Sequence, residues 1–317
     1  MIDILGIDCA TDPRNTGIAH ATLDAGSLGA AAGIGGRGPA GPAGGPETRG
    51  PAPPKPVLRY LASGTAATPT AETLASLLTP GRPAIVGLDA PLGWPAAMGR
   101  VLSGHRAGEA VGLPANDLFR RHTDRVVREH IGKQPLDVGA DRIARTAVAA
   151  LDLLAELRRL TGRALPVATR GTPPAPWAQP TTAAPPTPPG PRPPCDATGA
   201  AEAPLTPDAA LEVYPAGRLI ALRGEGYRRG YRGSGQAAED IRRAMLRDLE
   251  AEIRYEADAE PAVEDVDLLD AIICVCAVVD VLRGQCTPPE ALGLPLDEID
   301  REGWIWLPLG PSLGGGS

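Results

Sequence analysis

The sequence predicts an α/β fold built on a mixed five-stranded sheet. Short apolar runs bounded by turn residues are typical of buried strands, and five such runs cover residues 2–8, 17–23, 57–62, 84–89 and 210–214. A helical segment precedes the fourth of these strands, which allows that strand to run parallel to the first. Further segments with helical periodicity flank the strands, so we expect helices to cover the sheet.

The helical segments fall into three groups. A short helix with leucines on one face precedes the fourth strand and ends at Pro80-Gly81. Residues 94–165 read as a helical insertion after that strand, and two further helices follow the fifth strand. The predicted helices cover residues 70–78, 117–130, 137–160, 236–255 and 263–283.

Two tracts rich in Gly and Pro interrupt this pattern in the 317-residue chain. Residues 26–56 hold ten Gly and seven Pro, and residues 166–207 hold fourteen Pro and three Gly. Such segments bury too little apolar surface to offset the loss of chain entropy. We therefore predict a single domain over residues 1–310, interrupted by a disordered hairpin tip and a disordered Pro-rich insertion, with residues 311–317 as a flexible tail.

Charge and cysteine usage narrow the classes of protein that the chain can represent. With 31 basic and 38 acidic residues the net charge is −7, so any contact with nucleic acid must be made by local basic patches. The five cysteines show no C-x-x-C spacing, and without a secretory signal we expect a cytoplasmic protein. Cys274 and Cys276 lie in a wholly apolar run and are predicted to be buried. No apolar run reaches the roughly 18 residues of a membrane span.

Two strands end alike, and each delivers an aspartate at its carboxyl end. Gly6-Ile7-Asp8 closes the first strand and Gly87-Leu88-Asp89 closes the fourth. If these strands are parallel neighbours, about 4.8 Å apart, Asp8 and Asp89 converge at one edge of the sheet. Ligands of open α/β sheets bind at the carboxyl ends of strands. Either aspartate alone could instead cap the turn that follows its strand.

Three further acids are candidates for the same site. Glu212 lies within the apolar fifth strand, where a charge needs a partner or a solvated face. Asp267 and Asp270 are three residues apart and share one face of the last predicted helix. A simple N-terminal role in that helix would also account for them, but Asp270 lies against the most apolar part of the segment, where a partner cation explains it better.

Clustered carboxylates without cysteine are hard oxygen ligands that suit Mg²⁺ or Mn²⁺. We therefore predict Asp8, Asp89 and Asp270 as metal ligands, with Glu212 and Asp267 in support. Two such ions can drive phosphodiester hydrolysis without a nucleophilic side chain, which makes a metal-dependent nuclease the leading hypothesis. Two alternatives stay open: an ATP-using phosphotransferase of the actin and sugar-kinase type, and a noncatalytic scaffold or ligand-binding module.

Two basic stretches could contact the phosphates of DNA or RNA. Arg121 and Arg125 lie in the helical insertion, where an ion-paired helix face is the alternative explanation. Arg228 and Arg229 belong to the densest basic stretch of the chain, which also contains five glycines and could be a solvated loop. His122 lies beside Arg121, and an ion-paired or surface role suits it better than that of a general base.

Six segments in order resemble domain-of-unknown-function family 429, a group predicted to be nucleases of RNase H fold. They are Gly17 with residues 6–10, and residues 88–93, 121–125, 212–216, 267–271 and 303–305. The resemblance implies an RNase H-like sheet in which the first and fourth strands are neighbours and carry Asp8 and Asp89. It also implies a late helix that brings in Asp267 or Asp270. Arg121, Thr123 and Asp124 carry the resemblance within the insertion, and we predict substrate contacts there.

Overall fold

The computed structural model describes residues 1–27, 54–68, 70–139, 141–171 and 208–309. The two tracts predicted to be disordered, 26–56 and 166–207, and the predicted tail, 311–317, lie mostly outside these ranges. Of the tracts only residues 26–27, 54–56 and 166–171 are described, and there Val167 pairs with Ala210 of the sheet, so the predicted disorder does not extend to it. None of the helices within the described ranges is both long and apolar enough to cross a lipid bilayer.

The described part of the chain forms one mixed sheet of six strands in the order β5-β4-β1-β2-β3-β6. The pairs β1–β2 and β2–β3 are antiparallel, and the pairs β1–β4, β4–β5 and β3–β6 are parallel. The mixed sheet is confirmed. The strands are β1 (Ile2–Asp8), β2 (Gly17–Leu23), β3 (Val57–Ser63), β4 (Ala84–Asp89), β5 (Ala209–Glu212) and β6 (Arg254–Tyr255).

The prediction of five strands was wrong by one edge strand. The two residues of β6 lie in a segment predicted to be the end of a helix, but that helix ends at Leu249. After it, the backbone N–H of Arg254 donates to the carbonyl of Pro56, 2.9 Å away. A strand of two residues is too short to show a periodic pattern in the sequence. Its pairing with β3 depends only on the tertiary structure.

Ten α-helices occur within the described residues. They are α1 (Thr70–Leu77), α2 (Ala96–Leu102), α3 (Ala115–Phe119), α4 (His122–Ile131), α5 (Asp141–Thr161), α6 (Pro215–Arg223), α7 (Gln236–Leu249), α8 (Pro261–Glu264), α9 (Val266–Leu282) and α10 (Leu296–Glu302). The helix predicted over 117–130 is interrupted, because Arg120 and Arg121 adopt extended backbone angles. The helix predicted over 263–283 begins only at Val266, after the separate turn of α8.

Helices cover both faces of the sheet. On one face, α9 lies across β1, β2 and β4, and Ile2 and Ile4 of β1 join its apolar cluster. On the other face, Leu5 and Ile7 of the same strand pack with side chains of α1 and α5. The seventeen residues of α9 are almost all buried, including Cys274 and Cys276 as predicted. Because α9 is covered all round, its apolar pattern shows no polar face.

Glycines let α9 approach the sheet at van der Waals distance. Gly6 of β1 pairs with Gly87 of β4, and a Cβ atom at Gly6 would lie 2.3 Å from the carbonyl oxygen of Ala271. Gly17 at the start of β2 is as restricted, since its Cβ would lie 2.0 Å from the carbonyl oxygen of Asp267. These contacts hold the first turns of α9 against the ends of β1 and β2.

Replacing Gly6 by alanine is expected to destabilise the protein. The added methyl group meets the backbone of α9, which cannot move without displacing the helix, so a loss of about 1–3 kcal/mol or more in unfolding free energy follows. Gly99 of α2 has open space around it, and Gly99→Ala should gain about 0.5–1 kcal/mol from helix propensity. Urea denaturation of both variants measures the difference, and equal stabilities would contradict the packing argument.

Candidate carboxylate site

Asp8 and Asp89 meet at the carboxyl edge of the sheet. They are register partners across the parallel pair β1–β4, where neighbouring strands lie about 4.8 Å apart. Both side chains line one cavity of about 380 Å³. No group within the described residues donates a hydrogen bond to the carboxylate of Asp89. The structure thus brings together the two aspartates that end the central strands.

The N-terminus of α9 brings two more carboxylates to the same edge. Asp265 caps this helix, since its side chain accepts a hydrogen bond from the backbone N–H of Asp267 at 3.0 Å. Because Asp265 takes the capping role, Asp267 and Asp270 are left for other contacts. The side chains of Asp267 and Asp8 lie within hydrogen-bonding range of each other. Four aspartates therefore lie near one another at this edge of the sheet, and Asp8 and Asp89 line the cavity.

The pKa values of all four carboxyls are raised, and burial is the largest cause in each case. Burial is the largest cause for Asp8, followed by the negative charges of Asp89, Asp270 and Asp267. Burial and Asp270 likewise raise the pKa of Asp89. Burial also raises the pKa of Asp270 and Asp267, against the opposing charge of Arg232. Charged carboxylates so placed repel one another and favour uptake of protons or of a metal cation.

The metal-free protein is expected to lose stability as pH rises through this site. A carboxyl whose pKa is higher in the folded than in the unfolded state holds its proton longer when folded, so deprotonation favours unfolding. For Asp89 the loss begins above its ordinary pKa of 3.8. Melting temperatures of the wild type and of Asp89→Asn with EDTA, between about pH 4 and pH 8, isolate the effect. The melting temperature of Asp89→Asn should rise relative to that of the wild type as the pH increases. A difference between the two that stays constant over this range would contradict the prediction.

Two cations, Arg232 and Lys133, line the cavity together with Asp8 and Asp89. Nη2 of Arg232 lies 2.6 Å from Oδ2 of Asp270, but it is not aligned for a hydrogen bond, and Oδ2 has no donor among the described residues. Oδ1 of Asp270 accepts a hydrogen bond from the hydroxyl of Tyr231 at 3.1 Å. Nζ of Lys133 lies 5.7 Å from the centre of the Tyr214 ring. Partial burial and Arg232 lower the pKa of Lys133, and Asp270 and Asp89 oppose them.

Sequence reasoning missed Lys133 and gave Arg232 no specific role. Lys133 follows Gly132, which ends α4 in a left-handed conformation with φ of 71°. Lys133 lies in a loop that is distant in sequence from the four aspartates, so no local motif links it to them. One signal was present, because Lys133 is one of only two lysines in a chain that otherwise uses arginine. A lysine in a chain so rich in arginine indicates a position where a compact ammonium group is preferred to a planar guanidinium group.

Glu212, Arg121 and Asp124 form a buried ion-pair network, and Glu212 and Arg121 belong to the lining of the cavity. Both guanidinium Nη atoms of Arg121 donate to Glu212, at 2.7 and 2.8 Å, and Arg121 also pairs with Asp124 at 2.9 Å. The backbone N–H of Leu92 donates to Glu212 at 3.0 Å. Thr123 Oγ1 accepts a hydrogen bond from the backbone N–H of Ile305 at 2.9 Å. These polar groups are engaged within the protein, so their contacts give them a positioning role.

The remaining predicted substrate residues are at the surface. Arg125 pairs with Asp117 and Arg228 pairs with Asp248, each at 2.9 Å. Arg229 is the most open of them, with 79% of its side chain exposed and only a 3.6 Å contact to Glu225. Their predicted contacts with substrate stay predictions.

A second group of side chains could hold a metal ion. His122, Glu298 and Glu302 place one ligand atom each within 4.8 Å of one another, and they are the group among the described residues that does so. The carboxylates at the sheet edge are more widely spread. The atoms of this group already have partners: His122 Nε2 lies 2.9 Å from Glu298, and Glu302 accepts hydrogen bonds from the backbone N–H groups of Ala96 and His122. The group joins α2, α4 and α10.

Fold and site together define an α/β protein with an acidic cavity at the carboxyl edge of a mixed sheet. The chain belongs to the family described as "Protein of unknown function (DUF429)", whose model matches residues 6–172 and 197–292. The family resemblance seen in the sequence is thereby confirmed. No curated protein and no solved structure matches the chain significantly.

Proposed function

We propose that the protein is a Mg²⁺- or Mn²⁺-dependent nuclease of RNase H-like fold. One observation carries the proposal: Asp8 and Asp89 are register partners at the end of a parallel strand pair, and α9 brings the charges of Asp267 and Asp270 close to them. The neighbouring positions of β1 and β4 agree with what the family resemblance implies for an RNase H-like sheet. The antiparallel β2 and β3 beside them agree with it as well.

The donor set fits a hard divalent cation. Asp89 accepts no hydrogen bond from the described residues, and Oδ2 of Asp270 accepts none there and is paired only with the charge of Arg232. Asp8 and Asp267 lie side by side with raised pKa values. One arginine does not balance four aspartates, and buried negative charge is costly unless cations neutralise it. We assign Asp8, Asp89 and Asp270 as ligands, with Asp267 in support. In phosphodiester hydrolysis, divalent ions activate water and stabilise the leaving oxygen.

The site at the sheet edge is a better metal centre for catalysis than the His122 group. The oxygens of Glu302 and the Nε2 of His122 are already satisfied by protein groups, whereas the aspartates at the edge face a cavity. Glu212 supports the site indirectly, because it fixes the backbone of Leu92, three residues after Asp89.

The nucleic-acid substrate would be held by the chain's own cations. Arg232 and Lys133 line the cavity of the aspartates and also a neighbouring cavity of about 300 Å³, which continues to Tyr227 and Arg229. Exposed guanidinium and ammonium groups along this path suit successive phosphates. The path gives a protein of net charge −7 the local positive surface that binding of DNA or RNA requires.

Purified protein incubated with single-stranded and duplex DNA and RNA tests the proposal. Cleavage with Mg²⁺ or Mn²⁺ that stops with EDTA is expected. The two other function classes make different predictions: a phosphotransferase would bind Mg·ATP tightly and transfer its terminal phosphate, and a scaffold would bind partners without turnover. Cleavage that persists with EDTA, or ATP-dependent phosphate transfer in place of cleavage, would overturn the nuclease.

A further inference from the structure

Gln134 is a buried amide whose polar atoms have no partner in the described structure. Its Nε2 and its Oε1 are both shielded from solvent and without hydrogen bonds. An unsatisfied buried donor or acceptor costs about 1–3 kcal/mol. The residue lies in the loop that follows α4, next to Lys133. An amide kept there at such a cost is explained if the side chain turns into the adjoining cavity and a ligand completes its hydrogen bonds.

The amide belongs to the wall of the cavity that holds the aspartates. Gln134 lines this cavity together with Asp8 and Asp89. Its neighbours on the same wall are apolar, and Leu136 is 70% exposed although it is a large hydrophobic residue. The lining of the cavity therefore combines carboxylates with apolar surface and one amide. The apolar residues of the lining are Pro135, Leu136 and Ile143, among others.

This combination matches a nucleobase better than a phosphate. The amide of Gln134 presents a donor and an acceptor side by side, and base edges carry adjacent donors and acceptors that pair with such an amide. A phosphate group offers only acceptors and gains nothing from Oε1 or from Leu136. The cavity of about 380 Å³ is within the roughly 300–1,000 Å³ range of small-molecule sites.

Gln134 also lines a second, basic cavity. A cavity of about 320 Å³ is lined by Gln134 and by three arginines of the helical insertion, Arg120, Arg125 and Arg128. Of these, Arg128 makes no ion pair with the described residues. If a nucleic-acid strand placed one base against Gln134, its neighbouring phosphates could contact the arginines of this cleft. The cleft therefore favours a polymer over a free nucleotide.

We propose that Gln134 reads an unpaired base beside the scissile phosphate, so that the site takes single-stranded nucleic acid. The inference rests on the proposed nuclease function. In a duplex the hydrogen-bonding edges of the bases are paired and stacked, and a base must be splayed out to meet an amide in a cavity. Gln134 is thus a specificity-determining residue, and the aspartates remain the hydrolytic centre.

The test compares strands with and without bases. The substrates are a single-stranded oligonucleotide, an oligomer of the same length built only of abasic residues, and bis(p-nitrophenyl) phosphate. Gln134→Ala should lower kcat/KM on the base-bearing strand by about 10- to 100-fold, the range of a good bidentate base contact. It should leave the abasic strand and the small diester within about twofold. Gln236→Ala, at an exposed glutamine paired with Asp240, is the matched control and should change neither.

A binding assay separates failure of this inference from failure of the nuclease. Fluorescence anisotropy with labelled strands should show tighter binding of the base-bearing strand by the wild type, and Gln134→Ala should remove that preference even if no strand is cut. The melting temperature of the variant should stay near that of the wild type, since no hydrogen bond is lost. Equal losses on base-bearing and abasic strands, or no preference in the wild type, would overturn the role of Gln134.

Discussion

Replacement of Asp8 by asparagine is expected to abolish hydrolysis while making the metal-free protein more stable. Asp8 has the most acidic neighbours of the four aspartates, and the charges of Asp89, Asp270 and Asp267 all raise its pKa. Asparagine keeps the shape and removes the negative charge. The proposed site then loses a ligand oxygen, and the repulsion within the metal-free cluster falls.

The expected size of the two effects differs greatly. Removing a group that acts only on the reacting atoms costs about 10³-fold or more in kcat. The melting temperature in EDTA should rise by about 2–4 °C for each kcal/mol of repulsion removed. Opposite signs for activity and stability are typical of functional charge clusters, in which stability is given up for function. A purely structural aspartate would lower both.

Asp152 provides the matched control. It is an exposed aspartate on α5, so Asp152→Asn should leave both kcat and the melting temperature near those of the wild type. Added Mg²⁺ or Mn²⁺ should raise the melting temperature of the wild type and of Asp152→Asn, but not that of Asp8→Asn, because binding to the folded state stabilises it. A fall in the stability of Asp8→Asn, or cleavage that survives the substitution, would remove the assigned metal centre.

The strand ends were the part of the site that the sequence could predict. An apolar run that stops at an aspartate marks both a strand and its carboxyl end, and two equal endings at Asp8 and Asp89 indicated their convergence. The register between β1 and β4 was harder to predict, since it depends on Gly6 and Gly87 lying beneath α9. Asp267 and Asp270 were recognised as candidates. That neither of them is the N-cap of α9 follows from the structure, in which Asp265 takes that role.

The cations and the amide of the cavity could not be predicted in the same way. Lys133 and Gln134 reach the aspartates only because α4 ends at Gly132 and the chain then turns across the edge of the sheet. No spacing links these residues to β1 or β4, and their contacts are tertiary. For Arg121 the sequence left two roles open, a phosphate contact and an ion pair within the protein, and its burial and its bonds to Glu212 and Asp124 favour the second.

Replacement of Arg121 by alanine is expected to have the largest effect on stability. Arg121 is 1% exposed and lies between Glu212 and Asp124, which are as deeply buried. It also donates to the carbonyl oxygen of Glu302 at 3.0 Å. Removing the cation leaves two buried carboxylates without compensation, which costs about 3–5 kcal/mol. Arg121→Lys should recover only part of the loss, because an ammonium group cannot make the paired contacts of a guanidinium group.

Arg125 is the matched control for this variant. It lies four residues further along, and its ion pair with Asp117 is exposed to solvent, so Arg125→Ala should cost about 0–1 kcal/mol. The loss in Arg121→Ala should increase with pH, because burial already raises the pKa of Glu212 and the opposing charge of Arg121 would be gone. A carboxyl whose pKa is higher in the folded than in the unfolded state destabilises the protein as the pH rises above its pKa in the unfolded state. In Arg121→Ala this applies to Glu212. Urea denaturation at about pH 5 and pH 8 measures both effects, and similar losses for the two arginine variants would mean that the buried network contributes no more than a surface pair.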